Sequence, residues 1–248
     1  MFNKLDIEEM SMKLVIFAGG YGTRIAEKSD YIPKPMIKIG NKPILWHIIK
    51  YYSVFGFTEF IICGGYKIEI IKKYFNSQNK QLDRSWKVKV INTGKENNTG
   101  ERLRRVEKYL NSTFCLTYGD GLSNLDINKL VTFHKKNKSV ATLTTVRPEP
   151  HYGKIIFKGN KVYKFQEKDQ NNEPWINGGF FVCEKKIFQY LKKKSIFESD
   201  TLPTLAKRKI LFAFKHYGFW HCMDTLRDMR RLNSLWFSKK APWKIWND

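Results

Sequence analysis

A glycine-rich turn with cationic neighbours is the first part of this chain whose residue types suggest chemistry. The segment "FAGGYGTRIAEKSDYIPKPM", residues 17–36, directly continues an apolar run. Its glycines are Gly19, Gly20 and Gly22. Without a Cβ, glycines let backbone N–H groups approach an anion closely. Thr23 and Arg24 add a hydroxyl and a fork of donors, and Lys34 adds a point charge between two prolines. This combination favours a polyphosphate ligand.

Two common phosphate-binding loops do not fit this turn. The Walker loop ends in Gly-Lys-Ser or Gly-Lys-Thr, and no such triplet follows these glycines. The dinucleotide-binding fingerprint needs a third glycine where this chain has Ile25. The turn therefore belongs to a different class of phosphate site.

The elements that must position this turn alternate along the chain. Apolar runs predict strands near 13–18, 59–63, 86–92, 114–118 and 139–146. Apolar residues at three- and four-residue steps predict helices near 43–55, 67–76, 100–109 and 126–135. Such alternation predicts an α/β fold of Rossmann-like type, with a mostly parallel sheet and helices on both faces. In such a sheet, ligands bind beyond the carboxyl ends of the strands, where the turn lies.

The C-terminal half contains a different pattern. The segments "YGKIIFKGNKVYKFQEK" and "PWINGGFFVCEK" predict short paired strands added to the main sheet, and a last helix is predicted near 225–236. The length of 248 residues suits one large domain. We predict a single domain over residues 12–248, preceded by an extension at residues 1–11.

Composition restricts the partners and the compartment. The net charge of +22 would attract polyanions, but the lysines are spread along the chain without a zinc-finger spacing or an RNA-binding aromatic motif. We therefore predict no nucleic-acid partner. No apolar run is long enough to cross a bilayer, so no membrane partner is predicted. The four cysteines are widely spaced, which predicts buried, reduced thiols and a cytoplasmic protein.

Several segments in collinear order resemble one known family, the nucleoside-diphosphate-sugar pyrophosphorylases, which are nucleotidyltransferases. Beside the glycine turn, the resemblance lies in "TGERLRRV", "TYGDGLSNLDI", "FQEK", "WINGGFFV" and "GFWHCMDTLRDMRRL". It covers about residues 12–244. A nucleic-acid-binding module would not explain these segments. A scaffold that keeps the fold without catalysis would be expected to lack at least one of Arg24, Lys34, Asp120 and Asp224, and all four are present.

The resemblance implies an enzyme of the cytidylyltransferase type. The phosphate of an acceptor would attack the α-phosphorus of CTP and displace pyrophosphate, with Mg²⁺ as the cofactor. Glucose 1-phosphate is the first acceptor expected, giving CDP-glucose for surface polysaccharide synthesis. Another sugar phosphate, or a non-sugar phosphate such as phosphoglutamine for capsule modification, stays open as the alternative.

The resemblance also assigns the nucleotide site. Arg24, Lys34 and Asp120 are the expected catalytic residues. The nucleotide-binding residues expected are Ala18, Gly19, Gly20, Gly22, Thr23, Arg24, Lys34, Thr99, Arg102 and Gly119. Thr99 and Arg102 are expected to contact the nucleotide and to favour CTP over UTP or dTTP.

Asp120 and Asp224 are the expected metal ligands. Asp120 follows an apolar strand, so that its carboxylate points into the site, although Gly-Asp-Gly is also ordinary turn chemistry. Asp224 precedes the last helix and is also suited to cap it. Mg²⁺ prefers one or two carboxylates together with phosphate oxygens and water.

The acceptor site is assigned by the same resemblance. The residues expected there are Tyr152, Gly153, Glu167, Lys168, Asn177, Gly178 and Gly179. Lys168 would hold the acceptor phosphate, and Glu167 would contact the rest of the acceptor. Family members carry a longer insertion where this chain has only residues 76–85, and that insertion contributes to subunit contacts. A homo-oligomer is expected, and a dimer is favoured over larger assemblies because this insertion is shortened.

Overall fold

The structure is a computed structural model that describes residues 12–22, 25, 31–76, 79, 82–149, 153–167 and 173–247. Its strands are β1 (Lys13–Ala18), β2 (Lys38–Ile39), β3 (Lys42–Pro43), β4 (Glu59–Gly64), β5 (Lys87–Asn92), β6 (Phe114–Tyr118), β7 (Gly121–Ser123), β8 (Ala141–Val146), β9 (Lys154–Lys158), β10 (Lys161–Gln166), β11 (Ile176–Cys183), β12 (Leu211–Lys215) and β13 (Trp220–Cys222). Its α-helices are α1 (Ile44–Val54), α2 (Ile68–Tyr74), α3 (Thr99–Arg105), α4 (Ile127–Asn137), α5 (Leu202–Lys207) and α6 (Leu226–Phe237).

A seven-stranded sheet in the order β12-β8-β11-β6-β1-β4-β5 forms the centre of the fold. β1 is parallel to both β4 and β6, β4 is parallel to β5, and β8 is parallel to β12. Only β11 runs antiparallel to its neighbours in this sheet as described. The predicted α/β fold with a mostly parallel sheet is confirmed.

The strand β11 differs from its prediction. We expected "PWINGGFFVCEK" to form a small paired element, but Ile176–Cys183 lies between β6 and β8 in the main sheet. Its last six residues are buried, because the sheet covers both of its edges and packed side chains cover its faces. The other added elements are small, as predicted. They are the β9–β10 hairpin and the antiparallel pair of β7 with β13.

Helices cover both faces of the sheet, and the side chains of β1 pack into a buried cluster on each face. Leu14 and Ile16 point into one buried cluster, which includes residues of α1, α4 and α6. Val15 and Phe17 point into the other, which includes residues of α3 and α5. The period of two along a strand therefore places every apolar residue of β1 against a core. A strand buried on both faces fixes the turn that follows it.

Two predictions drawn from composition can be compared with the described residues. Cys63, Cys115 and Cys183 are buried free thiols, as expected, whereas Cys222 is only half-buried. Every helix in the described ranges is too short or too polar to cross a membrane. The predicted extension, residues 1–11, lies outside the described residues.

Candidate active site

A cavity of about 440 Å³ opens at the carboxyl ends of β1 and β6. These strands are parallel neighbours, so the residues that follow them meet at one edge of the sheet. Ten predicted site residues line this cavity: Ala18, Gly19, Gly20, Gly22, Lys34, Thr99, Arg102, Gly119, Asp120 and Asp224. Thr23 and Arg24 lie outside the described residues. The sheet thus brings together residues that are up to 206 positions apart in the chain.

The two predicted metal ligands are placed by a small antiparallel pairing. Asp120 lies between β6 and β7, and Asp224 lies just after β13. In the pairing of β7 with β13, Gly121 is opposite Cys222. The Met223 N–H also donates to the Asp120 carbonyl at 2.9 Å. These contacts hold the two carboxylates on the same side of the cavity.

Lys34 lies between the two carboxylates. Its Nζ is 2.6 Å from Asp120 Oδ2 and 2.6 Å from Asp224 Oδ1, and its side chain is only 12% exposed. Burial by itself lowers the pKa of Lys34, but the attraction of Asp120 and the hydrogen bonds to both carboxylates raise it above its usual range. Lys34 is therefore a charged ammonium in the centre of the site.

The side chains of both aspartates face Lys34 and not the helix or turn beside them. The helix α6 is capped by Thr225, whose side chain accepts from the Asp228 N–H in a reciprocal capping box. Asp224 is not this cap, and its carboxylate bonds to Lys34 instead. The Asp120 side chain likewise points to Lys34, although its residue does lie in a turn. Both carboxylates are thus available to a cation.

Cys222 is a third potential ligand that the sequence did not suggest. One ligand atom from each of Asp120, Cys222 and Asp224 lies within 4.8 Å of the other two. Burial, then the charge of Asp120, raises the pKa of the Cys222 thiol. Cys222 lies two positions before Asp224, just as Tyr118 lies two positions before Asp120. Tyr118 and Cys222 are each the last residue of a strand, so their position at a strand end beside a predicted aspartate could have indicated both residues.

Arg102 has a different environment from the one expected. It is 4% exposed, and its guanidinium donates to the carbonyls of Gly19 at 2.9 Å, Gly94 at 2.7 Å and Lys95 at 3.1 Å, and to Thr93 Oγ1 at 2.9 Å. A Cβ on Gly19 would lie 2.1 Å from Arg102 Nη1, so a side chain at this position would displace the guanidinium from these hydrogen bonds. Arg102 therefore ties the glycine turn to the loop after β5. Its direct contact with a nucleotide stays a prediction.

Three hydrogen-bonded polar residues, Thr99, Glu198 and Tyr118, line the same cavity. The hydroxyl of Thr99 donates to Glu198 Oε2 at 2.6 Å, and the Tyr118 hydroxyl donates to Glu198 Oε1. Tyr118 also accepts from Asn177 Nδ2 at 3.3 Å. Glu198 and Tyr118 were not expected here. No sequence motif marks Glu198, because its contact with Thr99 spans 99 residues.

A second cavity, of about 280 Å³, adjoins the first. It is lined by Asn177, Gly178 and Gly179, as expected for an acceptor site, and it shares Tyr118, Asp120 and Asp224 with the first cavity. Gly153 and Glu167 instead lie at the open end of the β9–β10 hairpin and line neither cavity. Tyr152 and Lys168 lie outside the described residues. The roles of these last four residues stay predictions.

Comparisons with known proteins agree with this geometry. The nucleotidyl transferase family model matches residues 13–239. The glucose-1-phosphate cytidylyltransferases of Salmonella typhimurium and Salmonella typhi are each 42% identical to this chain, over 95% of it and 100% of each of those proteins. The solved structure of HddC from Yersinia pseudotuberculosis has a TM-score of 0.70 at 26% identity, covering 91% of this chain and 99% of that one. This chain belongs to the nucleotidyl transferase family.

Proposed function

We propose that this protein transfers CMP from CTP to glucose 1-phosphate, producing CDP-glucose and pyrophosphate. The observation that carries the proposal is the cluster of Lys34 with Asp120 and Asp224, since both carboxylates line the two adjoining cavities. A reaction that joins two phosphate-bearing substrates needs charged groups that lie beside both of them. The names of the two Salmonella relatives support the choice of CTP and of glucose 1-phosphate.

The reaction is a direct displacement at phosphorus. A phosphate oxygen of the acceptor forms a bond to the α-phosphorus of CTP, and the bond from that phosphorus to the β-phosphate bridging oxygen breaks. The electron pair of the broken bond leaves with pyrophosphate. No covalent enzyme intermediate is needed, so the protein aligns the substrates and neutralises their charge.

The glycine turn and Lys34 are proposed to hold the triphosphate. Gly19, Gly20 and Gly22 line the first cavity at the end of β1, where backbone N–H groups can reach phosphate oxygens. Lys34 bonds to both carboxylates in this structure. When CTP enters, Lys34 would exchange these bonds for bonds to phosphate oxygens. Arg24 is proposed to add a second cation there, as the family resemblance implies.

The residues that would hold a divalent metal are Asp120 and Asp224, which fit because both already hold a positive charge between them. We propose Mg²⁺, which would neutralise negative charge on the phosphates as the two substrates approach. With the ion bound, Lys34 would turn from the carboxylates toward the phosphates. Lys34 and the metal ion would thus be alternative counter-charges for the same pair of carboxylates.

The acceptor is proposed to occupy the second cavity. Asn177 lies at its wall with its amide bonded to Tyr118, and Gly178 and Gly179 line the same cavity. Glu167 and Lys168 are proposed to contact the acceptor from the segment after β10. The relatives favour glucose 1-phosphate over the non-sugar alternative.

Three further properties belong to this proposal. The product would serve surface polysaccharide synthesis. CTP and sugar phosphates are cytoplasmic metabolites, which is why the cytoplasm is the proposed location. A homo-oligomer, with a dimer favoured, remains the proposed assembly, and sedimentation or mass photometry of the purified chain would measure it.

A pyrophosphate-release assay tests the proposal. CTP, UTP, dTTP and GTP are each combined with glucose 1-phosphate and with other phosphorylated small molecules, with and without Mg²⁺. We expect release only with CTP, glucose 1-phosphate and Mg²⁺ together, and CDP-glucose as the product in a ³¹P NMR spectrum. Release with a different acceptor and not with glucose 1-phosphate would contradict the assignment of the acceptor alone. No release from any pair would contradict nucleotidyl transfer itself.

A further inference from the structure

Cys222 gives the metal site a donor of a different chemical kind. It is the last residue of β13, lines the second cavity and is half-buried. Its Sγ lies within 4.8 Å of a carboxylate oxygen of Asp120 and of Asp224. Metal–oxygen and metal–sulfur bonds to one ion are roughly 2.0–2.3 Å long. Small side-chain movements would therefore bring all three donors onto one ion.

The carboxylates are oriented toward a common cation. Lys34 Nζ lies 2.6 Å from an oxygen of each, so positive charge is already stabilised at their midpoint. The contact joins Lys34 directly to both carboxylates. It shows where an ion would be held when Lys34 moves aside.

The donor set determines which ions bind well. Mg²⁺ requires oxygen ligands, and a thiolate contributes little to its binding. Zn²⁺ and Co²⁺ accept thiolate ligands readily and bind nitrogen, oxygen and sulfur sites more tightly than the hard cations do. A site with two carboxylates and one thiol is thus suited to an ion other than the one proposed for turnover.

We propose that Cys222, Asp120 and Asp224 form a three-ligand site for thiophilic divalent ions such as Zn²⁺ and Co²⁺, which compete there with Mg²⁺. The inference rests on the proposed function for its statement that Mg²⁺ occupies the same carboxylates. On binding, the thiol loses its proton to solvent and the thiolate becomes a ligand. Trace Zn²⁺ would thereby inhibit the Mg²⁺-dependent reaction reversibly.

Titration of the metal-free full-length protein with Co²⁺ alone tests the site directly. A thiolate ligand produces a sulfur-to-cobalt charge-transfer band in the near ultraviolet, and carboxylates do not. We expect this band in the unaltered protein and its loss in Cys222→Ser and in Cys222→Ala. Removal of the thiolate should weaken Co²⁺ and Zn²⁺ binding by roughly 100-fold, since loss even of an outer-shell partner costs about 10–100-fold. Mg²⁺ affinity should change by less than about threefold because Mg²⁺ does not use the sulfur.

The control is Cys115→Ala, which removes a thiol that is buried in the core. It should keep the cobalt band, and circular dichroism of all variants would verify folding. A band that persists in both Cys222 variants, or equal Zn²⁺ affinity with and without the thiol, would overturn the inference. Mg²⁺-dependent CTP turnover in the same preparations separates the two proposals. Turnover without a Cys222-dependent band refutes this site alone, and the band without turnover refutes the proposed reaction alone.

Discussion

Replacement of Lys34 by methionine removes the cation that separates two carboxylates. Two oxygens that each lie 2.6 Å from the same nitrogen are at most about 5 Å apart, and at an effective dielectric constant of about 20 their repulsion is roughly 3 kcal/mol. The carboxylate side chains of Asp120 and Asp224 are 24% and 36% exposed, so solvent screens part of this repulsion. We expect a net loss of about 1–2 kcal/mol in the free energy of unfolding without metal.

Thermal unfolding measures this loss. For a chain of this length, each kcal/mol corresponds to about 2–4 °C, so Lys34→Met in chelator should lower Tm by roughly 2–8 °C. Mg²⁺ should raise the Tm of the variant more than that of the unaltered protein, because no lysine then competes for the carboxylates. The kcat should nevertheless fall by about 10²–10³-fold, as when a positioned donor to developing charge is removed.

Lys38→Met is the matched control, since Lys38 is exposed and lies four residues further along the same segment. It should change neither Tm nor kcat appreciably. If Lys34→Met in chelator were as stable as the control and gained no more from Mg²⁺, then Lys34 would not be the counter-charge of the two carboxylates. The assignment of the metal site would then be wrong.

Four other predictions follow from the site and its surroundings. Asp120→Asn should lower kcat for pyrophosphate release by at least about 10²-fold at saturating Mg²⁺, and a near-normal rate would refute its assignment as a ligand. CTP should exceed UTP by at least roughly 100-fold in kcat/KM, whereas equal use would refute the proposed base preference. Hydrogen bonds from two arginines lower the pKa of the buried Glu101 to about 2. The stabilisation from ionised Glu101 is therefore present above about pH 4.5 and lost as the pH falls toward 2. Glu101→Gln should flatten the dependence of the unfolding free energy on pH in that window, and an unchanged slope would contradict this. Charge reversal in residues 135–138 and 192–194 should leave kcat unchanged in physiological salt, and loss of activity would implicate that surface in the reaction.

The sequence was sufficient to predict five of the six strands in the parallel part of the sheet, whereas β12, which is parallel to β8, was not predicted. The strands β1, β4, β5, β6 and β8 each contain an apolar run, and the predicted ranges agree with the observed ones within about three residues. The position of β11 was not predictable in the same way. Its antiparallel insertion between β6 and β8 depends on pairing between distant segments, and local periodicity does not record which strand becomes a neighbour.

The site could be predicted in part for similar reasons. Gly19 and Asp120 come just after β1 and β6, so the topology rule for α/β sheets places them at one edge, whereas Lys34 was assigned through the family resemblance. Arg102 connects the glycine turn to the loop after β5 through hydrogen bonds to four groups. This role could not be predicted, because those groups come together only in the folded chain. Glu198 reaches the cavity from the segment before α5 and has no local pattern of its own.

Transfer of the α-phosphate is the measurement that tests the proposed reaction most directly. CTP radiolabelled at its α-phosphate is incubated with the purified chain, glucose 1-phosphate and Mg²⁺, and the products are separated. The proposed displacement predicts label in CDP-glucose, unlabelled pyrophosphate in equal amount, and no label on the protein. Label in pyrophosphate, label retained covalently on the chain, or formation of free CMP without CDP-glucose would contradict direct transfer.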